Sequence, residues 1–229
     1  MEHIDINDTL SIMKFGTEMQ LNFSGLSECA FAFLKKSDLE KVGEMLGEMI
    51  AYFKDETKRN RQEKELICRE VDRMREELDG HYIRMLMDCE ALNNFRKLNK
   101  QYAEEIGEAI AHGKGQLALI QKENRPDSRN RFMALEKRIK ELELTLAVSG
   151  SFDTQMSMVC QNESQMAERI QSTLVNALTM WKSRMVIEER TDRIIDEKNK
   201  DLINSINELL ALQKQGMETR ENSFSQQAK

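Results

Sequence analysis

The 229-residue sequence predicts an all-α protein, an elongated antiparallel helical bundle or coiled-coil hairpin with long helices. Three observations predict it. Ten glycines and a single proline are too few for the many tight turns of a sandwich, a barrel or a doubly wound sheet. Charged residues make up 32% of the chain and aromatic residues only 6%, which suits narrow apolar stripes on charged helices better than a thick core. Apolar residues recur in steps of three and four over most of the length, the period of one helix face.

A first helix is predicted from about Thr9 to Leu34, with Leu10, Ile12, Met13, Met19 and Phe23 near helical spacing and Gly25 weakening its far half. Ser37-Asp38-Leu39-Glu40 reads as a capping box, the Ser37 hydroxyl accepting from the backbone at Glu40 while the Glu40 carboxylate reaches back. It opens a second helix with Leu39, Val42, Leu46, Met49, Ile50 and Phe53 on its apolar side. Gly43 and Gly47 recur four apart there, each costing about 1 kcal/mol relative to Ala. A close helix crossing at both is the expected reason.

From about Glu56 to Lys122 no proline interrupts the chain, and Val71, Met74, Leu78, Tyr82, Met85, Cys89 and Leu92 form a narrow seam. An unbroken helix of this length would reach on the order of 100 Å, which favours a hairpin or slender bundle. The seam continues through Phe95, Asn99, Tyr102, Ile106 and Ile110, and Gly113 with Gly115 marks its expected end. The only proline lies in Asn124-Arg125-Pro126-Asp127-Ser128, the clearest turn in the sequence and the expected hairpin tip near 123–129. Beyond it Phe132, Leu135, Ile139, Leu142 and Leu146 keep the helical period, with a kink or break expected at Gly150-Ser151. Met156, Val159, Cys160, Ile170, Leu174, Leu178, Trp181 and Met185 extend it, and Ile195, Leu202, Ile206, Leu209 and Leu212 carry it towards Gly216. Residues 1–218 are thus expected to form a single elongated helical domain, followed by a polar, disordered tail at 219–229.

The formal net charge of -6 is spread over mixed acidic and basic residues. Nucleic-acid binding by phosphate neutralisation is not expected, because it needs a clustered positive patch. The densest basic run, Lys54 to Arg61, is broken by Asp55 and Glu56. No basic-then-apolar leader and no long apolar run occur, so the expected location is cytoplasmic. Cys29, Cys68, Cys89 and Cys160 lie far apart with no C-x-x-C pair, against a zinc site or a disulfide framework and in keeping with reduced thiols. Cys89 falls on the seam and Cys68 beside it, where burial raises a thiol pKa and leaves it inert.

No glycine-rich phosphate loop is present, and His3, His81 and His112 are scattered without an E-x-x-H partner for a metal. Glu76-Glu77, Glu104-Glu105 and Glu188-Glu189 are adjacent on helices, so each pair diverges by about 100° and reads as a solvated face. Most of the 15 methionines sit on the seams and read as core filling rather than an adaptable groove. No catalytic residue, cofactor or metal is assigned.

The stretch NKDLINSINELLALQKQG, Asn199 to Gly216, resembles the C-terminal signature of the toxic anion resistance family, the TelA-like proteins. KFGTEMQ (Lys14 to Gln20) is similar to the family's Phe-Gly-x-x-x-Gln opening, followed in order by DLEKVGEMLGEM (Asp38 to Met49). LEKRIKELELT (Leu135 to Thr145) and IQSTLVNALTMWK (Ile170 to Lys182) resemble its central helices, with Trp181-Lys182 on a Trp-Lys pair. Leu92, Asn99 and Tyr102 match positions ahead of a family Gly, here Gly113, although His112 replaces the family's Ala. Against the longer family pattern the chain is short between about Lys54 and Glu63 and between about Glu189 and Asn199. Paired shortening at one end of an antiparallel bundle would keep the seam in register.

The resemblance implies a bacterial cytoplasmic protein associated with tellurite resistance, and no reaction. Phe15, Gly16, Gln20, Trp181, Asn199, Asp201 and Gly216 match motif positions of unknown role. Their structural reading is core anchoring for Phe15 and Trp181, close packing or capping for Gly16 and Gly216, and caps or inter-helix hydrogen bonds for Gln20, Asn199 and Asp201. The expected function is that of a non-enzymatic helical interaction protein in stress resistance, with other proteins as partners, among them tellurium-resistance proteins. The alternatives are thiol-dependent tellurite reduction or sequestration, and a peripheral membrane scaffold. Membrane contact is not predicted, since the acidic balance disfavours anionic lipid.

Overall fold

Asp8 starts the first helix by accepting from the backbone N–H groups of Leu10 and Ser11. That helix, α1 (Thr9–Lys14), is short because the chain leaves helical geometry at Phe15 and turns through Gly16 at φ +71°. The computed structural model describes residues 4–35, 39–55, 64–123, 127–187 and 192–225. The described chain continues through α2 (Thr17–Lys35), α3 (Leu39–Lys54), α4 (Lys64–Lys122), α5 (Ser128–Ser172), a π-helical turn (Thr173–Leu178), α6 (Thr179–Ile187) and α7 (Asp192–Ser225). The fold is all-α, and no strand occurs among the described residues.

Contacts gather the chain into two compact units, residues 1–33 with 92–157 and residues 34–91 with 158–229. In the first unit α4 and α5 run antiparallel, since Arg96 meets Asp153, Asn99 meets Ser149 and Lys114 meets Glu143. Its core joins Ile12 and Phe15 to Ile106, Ile110, Leu135, Ile139 and Leu142. In the second unit the same two helices again run antiparallel, Cys89 meeting Cys160, and Asp72 of α4 pairs with Lys182 of α6. Val42, Leu46, Met49 and Phe53 of α3 pack there with Leu78 and with Leu202, Ile206 and Leu209 of α7.

Several glycines act differently from the sequence expectation. The first break falls at Gly16, and Gly25 lies inside α2 with open space around it. A Cβ on Gly16 would sit 2.8 Å from the Leu142 side chain, so both the left-handed backbone and the packing demand glycine. Gly113 and Gly115 do not end α4, which runs on to Lys122. Gly113 instead makes room for Phe15 and Ile139, which would meet an added Cβ at 3.2 and 3.1 Å. The close approach expected at both Gly43 and Gly47 exists only at Gly43, where the Gln213 amide fills the space.

Gly150-Ser151 causes no break either, since α5 passes through it. A single interior glycine costs about 1 kcal/mol, less than the burial of neighbouring Phe152 and Met156 returns. Residues 219–225 are not the disordered tail expected of them, because α7 remains helical to Ser225 and buries Arg220. Ser37, Pro126, the pair Glu188-Glu189, most of the shortened segment 54–63 and the start of the segment 189–199 lie outside the described residues.

Gly16→Ala is expected to destabilise the protein by at least about 1–2 kcal/mol, the cost of a side chain in the left-handed region. Gly25→Ala should act oppositely, adding roughly 0.5–1 kcal/mol at an open helical position. Urea midpoints measure both, and equal signs would contradict this account.

Candidate functional site

The Phe15-Gly16-Gln20 motif is built around Arg138 of α5. Its guanidinium is buried and donates to the Phe15 carbonyl at 2.5 Å, to Thr17 Oγ1 at 3.2 Å and to Glu141 at 2.8 Å. It thus holds both sides of the Gly16 break. Gln20 donates to Thr145 Oγ1 at 2.7 Å one turn further along. Phe15 is buried and its ring centroid lies 6.4 Å from that of His112. A cleft of about 350 Å³ beside it is rimmed by Glu18, Glu105, Glu108 and His112. Its carboxylates disfavour an anionic ligand, and no metal-binding cluster occurs among the described residues.

The C-terminal motif residues fall in the second unit but do not converge. Trp181 is buried edge-on against Phe53, with centroids 5.2 Å apart. Gly216 packs against Leu39, whereas Asp201 is exposed. Asn199 lies within α7, and its side chain is outside the described set. The π-helical turn precedes Trp181, and such turns often mark functional sites. Next to it opens a groove of about 350 Å³ lined by Asp72, Arg75, Thr179, Lys182 and Ser183, with Val71 and Leu178 as its floor. Both carboxylate oxygens of Asp72 accept from Lys182 at 2.7 Å, which anchors the motif lysine to α4.

The α4 face bearing this groove extends towards the helix C-terminus. Residues 72, 75, 79, 83 and 86 follow one another in steps of three or four and therefore share a helix face. Along it Ile83, Leu86 and Met87 are 51%, 45% and 64% exposed, on positions that read i, i+3, i+4. Single exposed apolar residues are ordinary, but a contiguous trio beside a charged groove is the pattern of a contact surface.

A buried polar junction completes the second unit. Glu163 and Arg220 form an ion pair, both under a tenth exposed, and Arg220 also donates to the Leu34 carbonyl at 2.7 Å. Burial lowers the guanidinium pKa to about 10, against the pull of Asp88. Cys89 Sγ lies 3.4 Å from the Cys160 carbonyl, 3.5 Å from Ser164 Oγ and 3.8 Å from Glu163 Oε2. Burial pushes this thiol up to about 11, so it rests protonated, as its seam position predicts. Elsewhere in the second unit, buried His81 accepts at Nδ1 from Arg84 at 2.9 Å.

Sequence reasoning missed the buried Arg131, Arg138, Glu163 and Arg220. A signal existed, because 159, 163, 166 and 170 follow the seam spacing, as do 209, 213, 216 and 220. A charged residue at a seam register is a candidate for a buried pair.

The family profile described as Toxic anion resistance protein (TelA) matches residues 65–193. A TelA-like protein of Staphylococcus saprophyticus is 23% identical over 222 residues, covering 79% of this chain and 59% of the relative. One of Staphylococcus haemolyticus is 22% identical, with coverages of 79% and 57%, and one of Staphylococcus aureus 21% identical, with 79% and 59%. The chain therefore spans less than two thirds of the length of these curated relatives. No solved structure gives a significant match.

Only the thiolate reacts with iodoacetamide. Alkylation of Cys89 at pH 8 is therefore expected to be at least about tenfold slower in the folded protein than in urea, and to rise about tenfold per pH unit towards pH 11. Peptide-resolved mass spectrometry reads the rate, and an equal rate folded and unfolded would refute the protonated, buried assignment.

Proposed function

The chain belongs to the toxic anion resistance (TelA) family, and on that premise we propose that it is a non-enzymatic helical interaction protein that contributes to tellurite resistance in the cytoplasm by binding a partner protein. The observation that carries this reading is the solvent-facing side of α4, where Ile83, Leu86 and Met87 continue the groove of Asp72, Arg75 and Lys182. An amphipathic face of this kind offers apolar anchors with a charged rim, the arrangement of a helix-mediated protein contact.

Two further considerations support this reading over its alternatives. A catalytic thiol needs a lowered pKa, and Cys89 is shifted upwards. Stable docking on an anionic bilayer needs clustered basic residues, and the groove sets Arg75 of α4 and Lys182 of α6 against Asp72, with Asp79 following on α4. No helix among the described residues is long and apolar enough to cross a membrane.

Ile83→Glu/Leu86→Glu/Met87→Glu tests the proposal at positions whose side chains do not build the core. Helical content should be unchanged, and stability within about 1 kcal/mol, since exposed substitutions cost little. In cells under tellurite stress, stoichiometric partners captured by crosslinking mass spectrometry should fall at least about tenfold, and resistance should fall with them. A folded triple variant with full resistance and an unchanged crosslinking pattern would reject this face as the functional one.

A further inference from the structure

Cys89 and Cys160 are 71 residues apart in sequence, yet they meet across the antiparallel α4 and α5. Their contact is reciprocal. Cys89 Sγ lies 3.4 Å from the Cys160 carbonyl oxygen, and Cys160 Sγ lies 3.9 Å from the Cys89 carbonyl oxygen. Each thiol therefore reaches the other residue's own backbone, which requires the two helices to approach closely at this level. A disulfide needs that proximity, with Cα atoms within about 7 Å.

We propose that Cys89 and Cys160 form a redox modification site, a dithiol that a hydroperoxide-class oxidant closes into one intramolecular disulfide. The two thiols differ in access, and this sets the order of events. Cys160 is half-buried and Cys89 is buried, so the oxidant meets Cys160 first. The Cys160 sulfur attacks the peroxide O–O bond, giving Cys160 sulfenic acid and releasing an alcohol, or water from hydrogen peroxide. The Cys89 sulfur then attacks the Cys160 sulfur, the S–O bond breaks, and the hydroxyl leaves with the Cys89 proton as a second water. Each thiol gives up one proton and one electron, and the peroxide is reduced by two electrons.

The surroundings fit the second step. Glu163 Oε2 at 3.8 Å and Ser164 Oγ at 3.5 Å from Cys89 Sγ are groups that can take the departing proton and hand it on. Holding the second thiol in place also makes its attack intramolecular, which offsets its small thiolate fraction. Cys29 is exposed and Cys68 half-buried, and neither has a cysteine partner among the described residues, so they serve as internal controls.

The test uses the full chain, fully reduced and then treated with hydrogen peroxide, with free thiols blocked by alkylation and peptides mapped without reduction. The expected result is one linkage, Cys89 to Cys160, with the loss of two hydrogens from the intact mass and no dimer. The Cys29→Ser/Cys68→Ser variant should retain the linkage in full, Cys160→Ser should lose it, and Cys89→Ser should leave a Cys160 sulfenic acid that dimedone traps. Oxidation of Cys160 to sulfinic acid with Cys89 still alkylatable, pairing with Cys29 or Cys68, a disulfide-linked dimer, or no oxidation at all would each overturn the proposal.

Discussion

The fold depends on buried guanidinium groups that satisfy main-chain carbonyls where helical bonding runs out. Arg131 donates to the Ile6 carbonyl, Arg138 to that of Phe15 and Arg220 to that of Leu34. Ile6 lies ahead of α1, Phe15 follows its last residue, and Leu34 is in the last turn of α2. The last carbonyls of a helix have no intrahelical donor, and with few turn-forming residues this chain cannot cap every end with its own backbone. Long side chains from α5 and α7 do that work instead. A hydrogen bond to a charged group contributes about 1.5–3 kcal/mol net, enough to matter against a total stability of roughly 5–15 kcal/mol.

Such groups come with a condition. A guanidinium taken out of water must be paired, or its desolvation outweighs what it holds. Each of the three meets a carboxylate as well as a carbonyl: Glu123 for Arg131, Glu141 for Arg138 and Glu163 for Arg220. The carboxylates differ in exposure, Glu141 being 44% exposed and Glu163 only 4%, so the Arg220 pair is the one most committed to a dry environment. The nearby Cys89 proton belongs to the same environment, since the burial that favours a close ion pair also disfavours a free thiolate.

Much of this was legible from residue spacing. The seam positions Val71, Met74, Leu78, Met85, Cys89 and Leu92 are all buried, as are Leu135, Ile139 and Leu142. Spacing works there because a long helix that turns one face to the core carries a single apolar stripe, and the stripe appears directly in the sequence. Glycine misled the reading at Gly25, Gly113 and Gly150, because a lone glycine weakens a helix by less than packing strengthens it. The true break at Gly16 is a matter of left-handed backbone and of Leu142, a residue 126 positions away, and no local pattern encodes that. The motif residues were legible as motifs. Their separate settings, Phe15 and Gln20 beside Arg138 and Trp181 against Phe53, follow from tertiary packing alone.

The meeting of Cys89 and Cys160 shows how far spacing can be taken. Both were placed on seams, and two seams that face each other antiparallel must bring some residues of each to the same level. Which residues meet is set by the register, and within the first unit the register is fixed by pairs such as Asn99 with Ser149, buried and bonded twice, and Arg96 with Asp153. Asn99 has a polar side chain at a seam position, where an apolar residue would pack at least as well in any register. Its hydrogen bonds are satisfied only opposite Ser149, so a slip by one helical turn would leave a buried amide unpaired at a cost of about 1–3 kcal/mol. A polar pair that contributes little to overall stability therefore selects one alignment of the two long helices within the first unit, as the reciprocal contact of Cys89 and Cys160 marks their alignment in the second.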